Sequence, residues 1–219
     1  MRVAGILLLA VAISATSIIQ SVQAYEKGPI KDAVYTKTNK NNPYAQVSDD
    51  PQIIEALQMM SGTSGEFSQK AILGNNLSGK PVKVLFQSPG LLNPAYSSYD
   101  ALGWKSKDQL YIYINPKHKS APPEALASLL SHEAVHQDQE NSINEETYAW
   151  TLEASVWTEF VEKNPDLKKN FSPLAMREST LSKLLINANY TNKYIRQIVT
   201  SNPGYQNLPL RSTGFENVQ

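Results

Sequence analysis

Apolar and polar residues follow one another in short periodic runs along this chain, each run closed by proline, glycine or asparagine. Asp49-Asp50-Pro51 reads as a helix N-cap with proline in the first turn. Ile53, Ile54, Leu57 and Met60 then supply one apolar face, and Ser61-Gly62 ends it. Pro81 to Phe86 has the alternation and β-branching of a strand, stopped by Ser88-Pro89-Gly90. A weaker strand is expected to run through Ala95 to Trp104. Gln109 to Ile114 alternates sharply before Asn115-Pro116 breaks it, and is the clearest strand in the chain.

After Pro122-Pro123 the character changes. Leu126, Leu129, Leu130, Ala134 and Val135 recur at helical spacing and predict a helix running through Asp138. Gln137 to Asn141 is a polar break. Ser142 to Glu145 has the form of a capping box and opens a long helix through Tyr148, Leu152, Val156 and Phe160, stopped by Asn164-Pro165. Ser172-Pro173 begins another helix, and a shorter one is expected around Tyr194 to Val199. Strands gathered ahead of helices predict an α+β domain: a small sheet of three or four strands, then a helical half.

Composition adds a compartment and removes some partners. Met1 to Ile19 is one basic residue followed by an apolar run, and Val22-Gln23-Ala24 offers small residues for a signal peptidase. Residues 1–24 are therefore expected to be a secretory signal peptide cleaved after Ala24, leaving a secreted or periplasmic protein. The competing expectation is an uncleaved anchor, which the serines and threonines from Ser14 onward weaken. Residues 25–48 are polar and expected to form a flexible arm, with one domain over 49–219. Formal charge is zero, which gives no electrostatic reason to expect nucleic acid. With no cysteine, the exported protein must be held by its core, helped by a metal if one binds.

The chemistry rests on His132-Glu133-Ala134-Val135-His136. Helical residues four apart lie on one face a turn from each other, so both imidazoles can present a nitrogen to one tetrahedral zinc ion at about 2.0–2.1 Å. Glu133 projects beside that ion, where it can accept a proton from metal-acidified water and pass it to a leaving amine. The chain has three histidines, so the remaining protein ligand is His118 or a downstream carboxylate. If the first helix ends near Glu140 and Ser142 caps the next, the two form an antiparallel hairpin that brings Glu146 level with His136. Glu145 is expected to be spent in the capping box, its carboxylate turned back to the Ser142 amide. Glu153, two turns along the Glu146 face, is expected near His132 as a partner of the ligand. Glu145 and Glu153 remain alternatives to Glu146 on the metal.

The motif followed by Glu145-Glu146-Thr147-Tyr148-Ala149 on a second helix resembles the gluzincins, metallopeptidases with two histidines and a glutamate on zinc. The likeness runs from about Leu110 to Trp157. It implies a zincin-like fold, hydrolysis of peptide or protein substrates, and an edge strand above the site that binds extended substrate, here Leu110 to Ile114. It also implies a tyrosine or histidine that stabilises the oxyanion, with His118, Tyr111, Tyr113 and Tyr148 as candidates. Two departures stand out. The gap from His136 to Glu146 is shorter than in thermolysin-like members, and Trp150 stands where another branch carries an aspartate. The competing expectations are a secreted zinc-binding or interaction domain without turnover, and a helical protein without metal.

Overall fold

Among the described residues three strands form one small sheet: β1 (Lys83–Phe86), β2 (Ala101–Ser106) and β3 (Gln109–Ile114). The computed structural model describes residues 42–136 and 140–212. The expected signal peptide, the expected arm as far as residue 41, and Gln137, Asp138 and Gln139 lie outside the described residues. β3 occupies the middle of the sheet, parallel to β1 and antiparallel to β2. The alternation read from the sequence sorts its side chains. Leu110, Ile112 and Ile114 join the core with Val84 and Ala101, while Tyr111 and Tyr113 stack on the opposite face at 5.6 Å.

Among the described residues six α-helices complete the mixed α and β architecture, in line with the α+β reading: α1 (Pro51–Met59), α2 (Glu66–Ile72), α3 (Pro123–Glu133), α4 (Ile143–Lys163), α5 (Pro173–Asn187) and α6 (Lys193–Ser201). Asp50 caps α1 by accepting from the amides of Gln52 and Ile53, and Ser172 caps α5 ahead of its proline. Every residue of α3 from Ala125 to Glu133 is buried, because the helix is enclosed by α1, the sheet and α4. Trp157 of α4, with no exposed surface, fills the main core beside Leu126 and Leu130. A smaller core joins Ile143 and Ala154 of α4 to α5 and α6. Among the described residues no helix is long and apolar enough to cross a membrane.

Three features differ from the sequence reading. Residues 42–48, assigned to a flexible arm, carry a short 3-10 helix at Pro43–Gln46 and bury Val47, whose carbonyl accepts from the Val84 amide at 3.0 Å. The domain therefore begins before residue 49. α2 was not foreseen. α3 ends at Glu133, five residues short of Asp138; the chain tightens instead into i→i−3 bonds, Val135 N to His132 O at 2.9 Å and His136 N to Glu133 O at 3.3 Å.

Candidate metal centre

His132 and Glu133 lie on the last turn of α3, and His136 follows on the tightened turn. Tightening shifts His136 slightly around the helix axis but keeps both imidazoles on one side. Their Nε2 atoms face each other at 3.3 Å. α4 packs against α3 and brings Glu146 to the same point: Oε2 is 3.8 Å from His132 Nε2, and Oε1 is 3.7 Å from His136 Nε2. Two ligand atoms held about 2.0–2.1 Å from one ion at the tetrahedral angle lie about 3.3–3.4 Å apart. The observed separations meet that requirement within a few tenths of an ångström, which a small carboxylate rotation supplies. The cluster is buried, and these three residues could hold a metal ion.

The far side of each ring is also set. His132 Nδ1 bonds Glu153 Oε2 at 3.0 Å, and His136 Nδ1 bonds Glu145 Oε1 at 2.9 Å. A neutral imidazole that donates from Nδ1 keeps the Nε2 lone pair for a metal, so both carboxylates select the ligating tautomer. Glu153 thus meets His132, as its place along α4 led us to expect. Glu145 departs from its expected role. Ser142 Oγ accepts from the Glu145 amide at 3.1 Å, which is half of a capping box. The Ser142 amide instead donates to Asn141 Oδ1 at 2.6 Å. With that amide satisfied, the Glu145 carboxylate is free to meet the imidazole, where a charge-assisted bond is stronger. Ser212 donates to its other oxygen at 2.8 Å.

Electrostatics follow from this crowding. Burial pushes the Glu133 carboxyl up, and the imidazoles of His132 and His136 only partly offset it. Burial acts in the same direction on Glu146, but the charges of His136 and His132 and hydrogen bonds from Asn141 and Tyr205 prevail and hold it below the usual carboxylate range. For His136 burial favours the neutral ring, yet the bond to Glu145 and the charges of Glu146 and Glu133 outweigh it and raise the imidazole to about 9 in the metal-free protein.

Several contributors had no local signal in the sequence. The Tyr205 phenol lies within hydrogen-bonding range of Glu146, and its ring meets Trp150 edge-on at 6.4 Å. Burial, then the charge of Glu146, pushes this phenol up. Trp150, noted only as a departure from a family pattern, donates its indole N–H to Glu146 Oε2 at 3.2 Å. Beyond Tyr205 the chain straps across the start of α4. The carbonyls of Pro209 and Leu210 accept from the amides of Ile143 and Asn144, at 2.9 and 3.2 Å.

The four oxyanion candidates fall in different places. Tyr111 lines a narrow cleft with Glu133, His136, Ile72 and Val82, and Tyr113 stacks behind it. His118 is buried away from the cluster, its Nε2 on Asp100 Oδ1 at 2.8 Å, so it is not brought to the metal donors. Tyr148 is 42 % exposed and, two residues after Glu146, points from the other side of α4. The expected substrate strand is also corrected. β3 is paired on both edges and has no free backbone groups for an extended chain. β2 is the edge strand beside the motif: a Cβ at Gly103 would lie 3.7 Å from His136 Cβ and 3.8 Å from Glu133 Oε2.

The donors, their tautomers and the neighbouring acid make a cluster that could hold a metal ion, with one carboxylate left over. No known protein family, no curated protein and no solved structure matches this chain.

Proposed function

We propose that this protein is an exported zinc metallopeptidase of gluzincin type, built on a zincin-like domain, that hydrolyses peptide bonds in peptide or protein substrates. The observation that carries the reading is the meeting of His132 Nε2, His136 Nε2 and Glu146 at 3.3–3.8 Å, with Glu133 adjacent and unused by the cluster. Two imidazoles and one carboxylate in near-tetrahedral disposition suit zinc among the common divalent ions. Bound there, zinc supplies Lewis acidity, which acidifies water and polarises a carbonyl.

The chain's own residues account for the rest. Extended substrate adds to the open edge of β2, where Gly103 leaves space beside Glu133. Glu133, its proton affinity raised by burial, takes the proton of the attacking water and hands it to the departing amine. Tyr205 keeps its proton at neutral pH and can donate to the developing oxyanion. Cleavage of residues 1–24 places this activity in the periplasm or outside the cell.

Glu133→Gln tests the reading. The variant binds zinc like the parent but loses at least about 10²-fold in peptide hydrolysis, the span general acid–base catalysis usually supplies. The assay is cleavage of a mixed peptide library by purified protein, with and without chelator. Hydrolysis that survives either the substitution or metal removal rules the mechanism out. A parent that binds zinc but cleaves nothing identifies a zinc-binding domain instead.

A further inference from the structure

We infer that Arg177 is a positioning residue for the metal centre: it fixes two of the three ligands through their partners and ties them to the first residue before the edge strand. This rests on the reading of the cluster as a metal site. Arg177 projects from α5 with its side chain 23 % exposed and meets Glu153 with both ends of its fork, Nη1 to Oε1 at 2.6 Å and Nη2 to Oε2 at 3.0 Å. Glu153 Oε2, shared in this way with Arg177, also bonds His132 Nδ1 at 3.0 Å. The guanidinium also lies 5.1 Å over the Trp150 ring, and Trp150 donates to Glu146 at 3.2 Å. One planar cation therefore stands behind His132 by one route and behind Glu146 by another.

Its remaining contacts face outward from the cluster. Nη1 reaches Glu178 Oε1 at 3.0 Å, and Nε reaches Asp100 Oδ2 at 3.4 Å. Asp100 is the residue before β2, and its carboxylate is further held by Lys117 and His118 at 2.7 and 2.8 Å. Arg177 thus joins the head of the substrate strand to the carboxylate that orients a ligand. A lysine could neutralise Glu153, but it has neither the fork for two oxygens nor the flat face for the indole. A mere counter-ion would tolerate that exchange. A positioning residue would not.

The experiment compares Arg177→Lys with the parent by zinc titration against a chromophoric chelator and by the visible spectrum of the cobalt-substituted protein. The expected result is a metal-free protein that folds like the parent by circular dichroism, a zinc affinity 10–100-fold weaker, and an altered cobalt spectrum, as the loss of such partners usually produces. Zinc affinity within twofold of the parent, with the same cobalt spectrum, overturns the inference. If Arg177→Lys does not fold, Trp150→Phe and Glu153→Gln sever the two routes singly, and unchanged affinity in both overturns it equally. A parent that binds no zinc overturns the metal-site reading and this inference together, and the parent's own titration tells that case apart.

Discussion

Three glutamates of α4 approach the histidines, and changing each to glutamine in turn separates ligand from partner. Glu146 meets the Nε2 side of both rings, whereas Glu145 and Glu153 meet Nδ1, on the far side from any shared ion. Glutamine keeps the size of each side chain and removes its charge. Structural zinc sites bind with about 10–16 kcal/mol over four ligands, so a single ligand carries roughly 2.5–4 kcal/mol. Glu146→Gln should therefore weaken zinc by about 10²–10³-fold. Partners of ligands cost less, about 10–100-fold. Glu145→Gln belongs at the low end, because Ser212 and Asn141 still hold the start of α4 through Ser142. Glu153→Gln belongs at the high end, because it also strips Arg177 of its bidentate partner. Competition with a graded series of chelators at fixed pH reads all three constants. If Glu145→Gln or Glu153→Gln proves the weakest binder while Glu146→Gln stays within tenfold of the parent, the assignment of Glu146 to the metal is wrong.

Two further outcomes follow from the same geometry. At Gly103 an alanine Cβ makes ordinary contacts of 3.7–3.8 Å, so Gly103→Ala should keep both zinc affinity and turnover, while Gly103→Leu should keep zinc but raise KM about tenfold or more by filling the space beside Glu133; steady-state kinetics on one cleaved peptide decide it, and an unchanged KM for the leucine variant refutes the β2 edge as substrate strand. In the metal-free protein His136 rises from 6.5 to about 9, worth about 3 kcal/mol of stability that is fully present below pH 6.5 and lost as pH climbs through about 9. Urea unfolding of chelated protein at pH 6 and pH 9.5 should show that loss, and zinc-saturated protein, whose site excludes the proton, should not; equal metal-free stability at both values refutes the interaction.

The readable parts of this molecule are those whose cause is local. Asp50-Pro51, Ser142 and Ser172-Pro173 start α1, α4 and α5 through contacts spanning at most three residues, and the chain carries that information directly. The motif histidines and Glu146 were likewise reachable by helix arithmetic. α2 was not, because Gly65 provides no side-chain cap and the helix buries polar Ser68 and Gln69 where a pattern reader expects apolar residues. The ordering of the sheet was missed for a different reason. A strand's alternation records which face is buried, and it does not record whether one or both edges are paired, so β3 looked no different from an edge. Glu145 shows the limit of a motif: its amide obeys the capping box while its carboxylate answers to a histidine nine residues earlier. Arg177, Asp100 and Tyr205 reach the site only through tertiary packing, and nothing in their neighbours announces it.

The strap over α4 bears on when the centre can be made. Ser212 lies 67 residues beyond Glu145, and Tyr205 likewise reaches Glu146 from far downstream. During synthesis the two histidines, Glu146 and both orienting carboxylates leave the ribosome well before the groups that steady them. Until the strap closes, the donor set lacks two of the groups that steady it, so a metal, if the cluster takes one, would be held firmly only once Tyr205 and Ser212 are in place.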